Sequence, residues 1–142
     1  EALAGGWAIT RLAREGVTAD PEAGKVLVEM AGGSIDDINV ATVARAVRGG
    51  DPMARRLMEQ AVAALIAGAT TLINAFNPCR LILGGGVING VPELIGKIDK
   101  GVRGQALAAA CSSLLVLPAG LRTDAGVIGA AALAKRTFAE KA

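Results

Sequence analysis

Three consecutive glycines, Gly84-Gly85-Gly86, follow directly on the short run Arg80-Leu81-Ile82-Leu83, and Asn77-Pro78 stands just ahead of it. A short, largely apolar run bounded by breakers reads as a buried parallel strand. Glycines at the carboxyl end of such a strand let the backbone turn without side chains and approach a ligand closely, in the crevice where open α/β sheets bind theirs. The run is neither a G-x-G-x-x-G nor a P-loop. Taken alone, it serves equally as a ligand-approach device or as a tight strand-to-helix connection.

The flanking sequence predicts what this strand packs against. Leu3, Trp7, Ile9 and Leu12 have helical spacing over residues 1–15, with Gly16 as a stop. Asp20-Pro21-Glu22 has the cap, first-turn proline and early acid of a second helix, running towards Met30 and halted by Gly32-Gly33. Asn39 caps a third helix through Arg48, and Asp51-Pro52 starts a fourth that continues to Phe76. That fourth helix is apolar most of the way round from Ala61 onward, which predicts burial. Beyond the glycines come a turn at Asn89-Gly90, a helix from Pro92 and a second buried strand over Ser113 to Leu117. Thr123 or Asp124 then caps a closing helix through Phe138, with Lys135, Arg136 and Lys141 at its cation-favouring end. The order predicts a helix-rich α/β fold with a small parallel sheet. Stable parallel sheets usually have about four to six strands, so two strands leave edges for another segment or a second copy to cover.

Composition narrows the function classes. The 142 residues suit one domain, and their apolar content includes one Trp, two Phe and no Tyr, which favours closely packed helices. Polar residues and glycines break every long apolar run, so no membrane span is expected. A net charge of +2, carried by scattered Lys and Arg, gives no nucleic-acid footprint. Cys79 and Cys111 read as buried, reduced thiols rather than a disulfide framework or metal site, and with no signal peptide recognisable a cytoplasmic protein is expected. Histidine is absent, which removes Ser-His and Cys-His nucleophiles from this chain and leaves acid-base work to carboxylates. Of these, Asp36-Asp37 read as a solvated loop pair, and Asp51 and Asp124 as helix caps. None has the setting of a general base.

The wording around the glycines is more specific than the glycines themselves. The segment Asn77-Pro78-Cys79-Arg80-Leu81-Ile82-Leu83-Gly84-Gly85-Gly86-Val87 resembles the adenosine motif N-P-x-x-I-V-L-G-G-G of the ROK family of repressors, open reading frames and kinases. Glu1-Ala2-Leu3-Ala4-Gly5-Gly6-Trp7-Ala8-Ile9 resembles the helix after that family's cysteine-rich zinc motif. Gly49-Gly50-Asp51-Pro52-Met53-Ala54 is similar to its G-D-x-x-A, and Asp124-Ala125-Gly126-Val127-Ile128-Gly129-Ala130-Ala131 to its closing A-G-x-x-G-A-A helix. These four segments, in order, cover nearly the whole chain.

The resemblance implies the C-terminal, nucleotide-binding half of an actin-like (hexokinase, Hsp70, actin) ATPase domain, over residues 1–142. It further implies transfer of the ATP γ-phosphate, with Mg²⁺, to a hexose or N-acetylhexosamine. Gly84, Gly85 and Gly86 would line the nucleotide. Glu1 matches the glutamate that ends the family's G-C-x-E segment and binds the sugar, a carboxylate being able to accept from two neighbouring hydroxyls; an ordinary first-turn acid is the plainer reading. The family's catalytic aspartate, both phosphate loops and its E-x-G-H and C-x-C-G-x-x-G-C zinc segment all match positions before Glu1. Zinc is therefore expected only through such an upstream segment, and the chain alone is expected to be inactive. A homodimer is expected, since the family associates through this half. The alternative function is the sugar-sensing and dimerisation domain of a ROK-type repressor.

Overall fold

Short polar side chains set the starts of three of the first four helices, as a computed structural model describing residues 2–139 shows. Helix α1 covers Gly6–Ala19, α2 Pro21–Met30, α3 Val40–Arg48 and α4 Pro52–Phe76. Asp20 accepts from the Ala23 N–H at 3.0 Å, Asn39 from Thr42 at 3.1 Å and Asp51 from Ala54 at 2.7 Å. Each bond satisfies one of the N–H groups that a helix start leaves without a partner. Asp36 and Asp37 lie exposed in a 3-10 turn, Ile35–Asp37, between α2 and α3.

Glycine at position 16 does not end α1. The buried stripe Ala8, Ile9, Ala13 and Val17 continues past it, and the Asp20 N–H closes on the Gly16 carbonyl at 2.9 Å. Packing outweighs a propensity deficit of about 1 kcal/mol. Trp7 stands off this stripe and is exposed, unlike the Ile9 with which its spacing groups it.

Helix α4 is the spine, contacting α1, α2 and α3 on one flank and α6, Leu94–Gln105, on another. Met53, Ala54, Met58, Ala61, Val62, Ala69 and Ile73 are buried along it. The burial expected from Ala61 onward holds for one stripe only: Leu72 and Phe76 face outward at 49% and 74% exposure, because no described element covers that side. By length and composition alone α4 is apolar enough to cross a membrane, which the broken apolar runs did not lead one to expect; here its buried stripe packs against the other helices of the bundle. Close approach is built from small residues. A Cβ at Gly101 of α6 would lie 2.3 Å from Ile66 Cδ1, and one at Gly24 of α2 would lie 2.9 Å from the Val17 Cα.

The chain leaves α4 through Asn77, which takes a left-handed conformation (φ 45°) and donates to the Ile73 carbonyl at 2.9 Å. Pro78 prevents the helix from resuming. Strand β1, Arg80–Leu83, then pairs in parallel with β2, Leu115–Pro118, in the register Arg80 with Leu115 through Leu83 with Pro118. The parallel pair is as expected, but its burial is not. Ile82, Leu115 and Leu117 are 62%, 51% and 39% exposed, because a sheet of two strands has one face against the helices and the other open. Nor are the cysteines buried as expected: Cys79, just ahead of β1, is exposed and Cys111, in the segment ahead of β2, is half-buried; both are free thiols.

Between the strands, Asn89-Gly90 is the last turn of a short helix α5, Gly86–Gly90, rather than a loop. Helix α6 follows, then a single turn α7, Ala108–Cys111. Asp124 ends a 3-10 turn, Arg122–Asp124, one residue before α8, Ala125–Ala139, whose described side chains are exposed throughout. The core lies among α1 to α4 and α6, where Ile9, Leu27, Val43, Ile73 and Ile98 are fully enclosed.

Gly24→Ala is expected to destabilise by about 1–3 kcal/mol, since the added methyl meets Val17 backbone that cannot swing aside. Gly68→Ala, with open space around its Cβ, is expected to be neutral or stabilising. Urea midpoints for the two variants check this, and equal midpoints would contradict the close α1–α2 crossing.

Candidate functional site

Three stretches of the sequence, residues 6–15, 39–41 and 86–91, are brought together where α5 reaches the start of α1 and α3. A cavity of about 850 Å³ opens there. One wall is the outer face of α1, where helical spacing places Trp7, Thr10, Arg11 and Arg14 in line. The Arg11 guanidinium lies over the Trp7 ring, 5.7 Å from its centroid, and pairs with Glu15 at 2.8 Å. Arg14 is committed to the backbone, donating to the carbonyls of Asp36 and Ile38 and so fastening the 3-10 turn to α1.

The floor lies at Gly6, where a Cβ would make ordinary van der Waals contact with Val40 at 3.5 Å and Val87 at 3.7 Å. Asn39, Val40 and Ala41 supply the edge from α3, with the Asn39 amide already bonded to Thr42 and to the Asp37 carbonyl. The opposite wall is aliphatic and low, formed by Gly86, Val87, Gly90 and Val91.

The three glycines have different tasks. A Cβ at Gly84 would sit 3.0 Å from the Ala119 Cβ, so its bareness lets the ends of the two strands lie side by side. Gly85 turns the chain at φ +99°, a conformation that L side chains rarely adopt, and precedes the first residue of α5. Gly86 alone lines the cavity, with nothing within 4 Å of its Cβ position. Glu1 lies outside the described residues.

Chemically, the cavity suits a flat, partly apolar ligand carrying negative charge, since Arg11 is balanced by Glu15 while Arg14 adds a cation at the rim. Among the described residues it holds no assembled nucleophile or base, because the one carboxylate lining it, Glu15, is occupied by Arg11. Glu93 lies outside the cavity. A backbone hydrogen bond, aided by Arg48 at 3.0 Å, holds its carboxyl below the usual carboxylate range. Zinc does not fit the donors available: the chain has no histidine, and among the described residues no three Cys, Asp or Glu side chains converge.

Sequence reading missed Trp7 and Arg11 as wall residues by grouping Trp7 with Leu3, Ile9 and Leu12 as the spacing of a helix. The signal was present in the spacing of Trp7, Arg11 and Arg14 along the polar side of α1. Val87, Gly90 and Val91 carried no such signal, because only the fold turns α5 towards α1.

The sequence profile of the ROK family matches residues 1–137. The chain belongs to the ROK family. It is 30% identical over 135 residues to a glucokinase of Thermotoga maritima, covering 95% of this chain and 42% of that protein. It is also 30% identical over 104 residues to the DNA-binding transcriptional dual regulator NagC of Escherichia coli K12, covering 73% of this chain and 25% of the regulator. Among solved structures, it superposes with a TM-score of 0.79 and 33% identity on a ROK family glucokinase from Streptomyces griseus in complex with glucose and AMPPNP, over 96% of this chain and 44% of that one. The fold is thus that of the ROK sugar kinases, the actin-like ATPase fold. This ROK chain spans less than half the length of those relatives.

The division of labour among the glycines is testable by stability. Gly85→Ala is expected to destabilise by about 1–2 kcal/mol through its positive φ, whereas Gly86→Ala, at a helical position in open space, is expected not to destabilise. Thermal melting distinguishes them, and an unchanged Tm for Gly85→Ala would contradict the turn described.

Proposed function

We propose that this chain is the ATP-binding half of a ROK sugar kinase and that the cavity between α1, α3 and α5 receives the nucleotide. One observation carries the reading: nearly the whole chain superposes on a glucokinase captured with glucose and an ATP analogue, and the adenosine-motif glycine Gly86 forms a wall of the cavity. In this reading Gly84 and Gly85 shape the turn that lets Gly86 approach the nucleotide, and Glu1 contacts the sugar. Mg²⁺ enters with the ATP. Transfer of the γ-phosphate to a hexose or N-acetylhexosamine depends on positioning and electrostatic stabilisation, supplied together with a catalytic aspartate by the remainder of the domain. Any zinc site belongs to that remainder as well.

The same proposal accounts for the open faces. The outward side of α4, the exposed face of β1 and β2, and α8 are the surfaces that the rest of the actin-like domain and a second protomer of a cytoplasmic homodimer would cover. A sugar-sensing repressor domain is the second reading, supported by the match to NagC. The kinase is preferred because the glucokinase match extends over 95% of the chain and the regulator match over 73%. This chain itself contacts no nucleic acid in either case.

Mg-ATP at one hundred times its Kd is expected to stabilise the full-length protein by about 2.7 kcal/mol, read as a raised Tm, and to support sugar-dependent ADP release. The 142-residue chain alone is expected to release none. Absence of any thermal shift in the full-length protein would remove the kinase reading, and sugar-dependent turnover by the isolated chain would overturn the assignment of the chemistry to the remainder.

A further inference from the structure

We infer that Trp7 is the platform on which the nucleotide's base stacks, so that this site demands an aromatic base and not only phosphate; the inference rests on the cavity being the nucleotide site. Trp7 is the only tryptophan in a chain with two Phe and no Tyr, yet its indole is 57% exposed and lies off the stripe that α1 buries. A large aromatic ring left in water contributes little to the core. Here it forms part of a cavity wall.

One face of the ring is engaged by its neighbours on α1. Arg11, one turn further along α1, lays its guanidinium over one face of the indole and is itself restrained by Glu15 at 2.8 Å. A cation over one face restricts the ring's rotamers and leaves the other face for a second planar group. Across the cavity, Val87 and Val91 are aliphatic, and Gly86 and Gly90 have no side chains to obstruct it. Such walls favour a flat heteroaromatic ring over a sugar or free phosphate, which gain little from them.

Two of the polar side chains at the edge, Asn39 and Arg14, are already engaged. The Asn39 amide serves Thr42 and the Asp37 carbonyl, and Arg14 serves the carbonyls of Asp36 and Ile38. Recognition of the base therefore comes from stacking more than from hydrogen bonds to its edge. Stacking of this kind tolerates different bases because every base has a π face.

The single tryptophan makes its emission a specific reporter in this chain. The full chain is titrated with ADP, GDP, ribose 5-phosphate and pyrophosphate, following Trp7 fluorescence and calorimetric heat together. ADP and GDP are expected to quench Trp7 saturably, with the same midpoint as the heat, while ribose 5-phosphate and pyrophosphate leave the emission unchanged. Trp7→Ala is expected to weaken ADP binding about five- to tenfold, the lower part of the range for aromatic–base stacking, and Trp7→Phe to retain affinity within about twofold. Calorimetric ADP binding without a change in Trp7 emission, or with Trp7→Ala at wild-type affinity, would overturn the inference and leave nucleotide binding intact. Absence of any ADP heat would overturn the nucleotide site and the inference with it. Equal quenching by ribose 5-phosphate would show that phosphate, not the base, is sensed at Trp7, and would also overturn it.

Discussion

The placement of β1 depends on how α4 begins and ends. Asp51 and Pro52 fix its first turn, Asn77 closes its last in a left-handed conformation, and Pro78 releases the chain into β1. The stripe from Met53 to Ile73 holds this long helix against α1, α2, α3 and α6. Gly101 against Ile66 lets α6 approach α4 closely, and Gly24 against Val17 lets α2 approach α1. With the spine set, β1 must emerge at one end of the bundle, and its glycine turn then faces the start of α1. The cavity is a consequence of that route rather than of any local motif.

Helix boundaries were the most legible part of the fold. Asp20, Asn39 and Asp51 each act through one local hydrogen bond and two are followed by proline, so the sequence specifies these starts within a few residues. Stops were less legible where packing competes with propensity, as at Gly16, which α1 passes because Ala13 and Val17 continue its buried stripe. Burial was the least legible. An apolar residue at α4 or β1 reads the same whether its partner lies within these residues or elsewhere, so Leu72, Phe76 and Ile82 read as core and stand exposed.

For the site, sequence found the glycine turn and the family but not the opposing wall. Gly86 lies on the cavity, whereas Gly84 and Gly85 serve strand packing and the turn, a distinction that depends on Ala119 and on a φ angle no motif contains. Trp7 and Arg11 complete the wall from far away in sequence. Membership of the ROK family supplies the expectation of a nucleotide; the aromatic and aliphatic walls of the cavity supply a physical reason for where its base would go.

The measurement that bears most directly on this account is amide and indole NMR shift mapping of the chain during titration with ADP. Perturbations are expected to concentrate on the Trp7 indole N–H, on residues 6–15 and 39–41, and on residues 86–91, which lie together only in this fold. Perturbations confined to the open face of the sheet and the outward side of α4, around Leu72 and Ile82, with Trp7 and Gly86 unmoved, would contradict it.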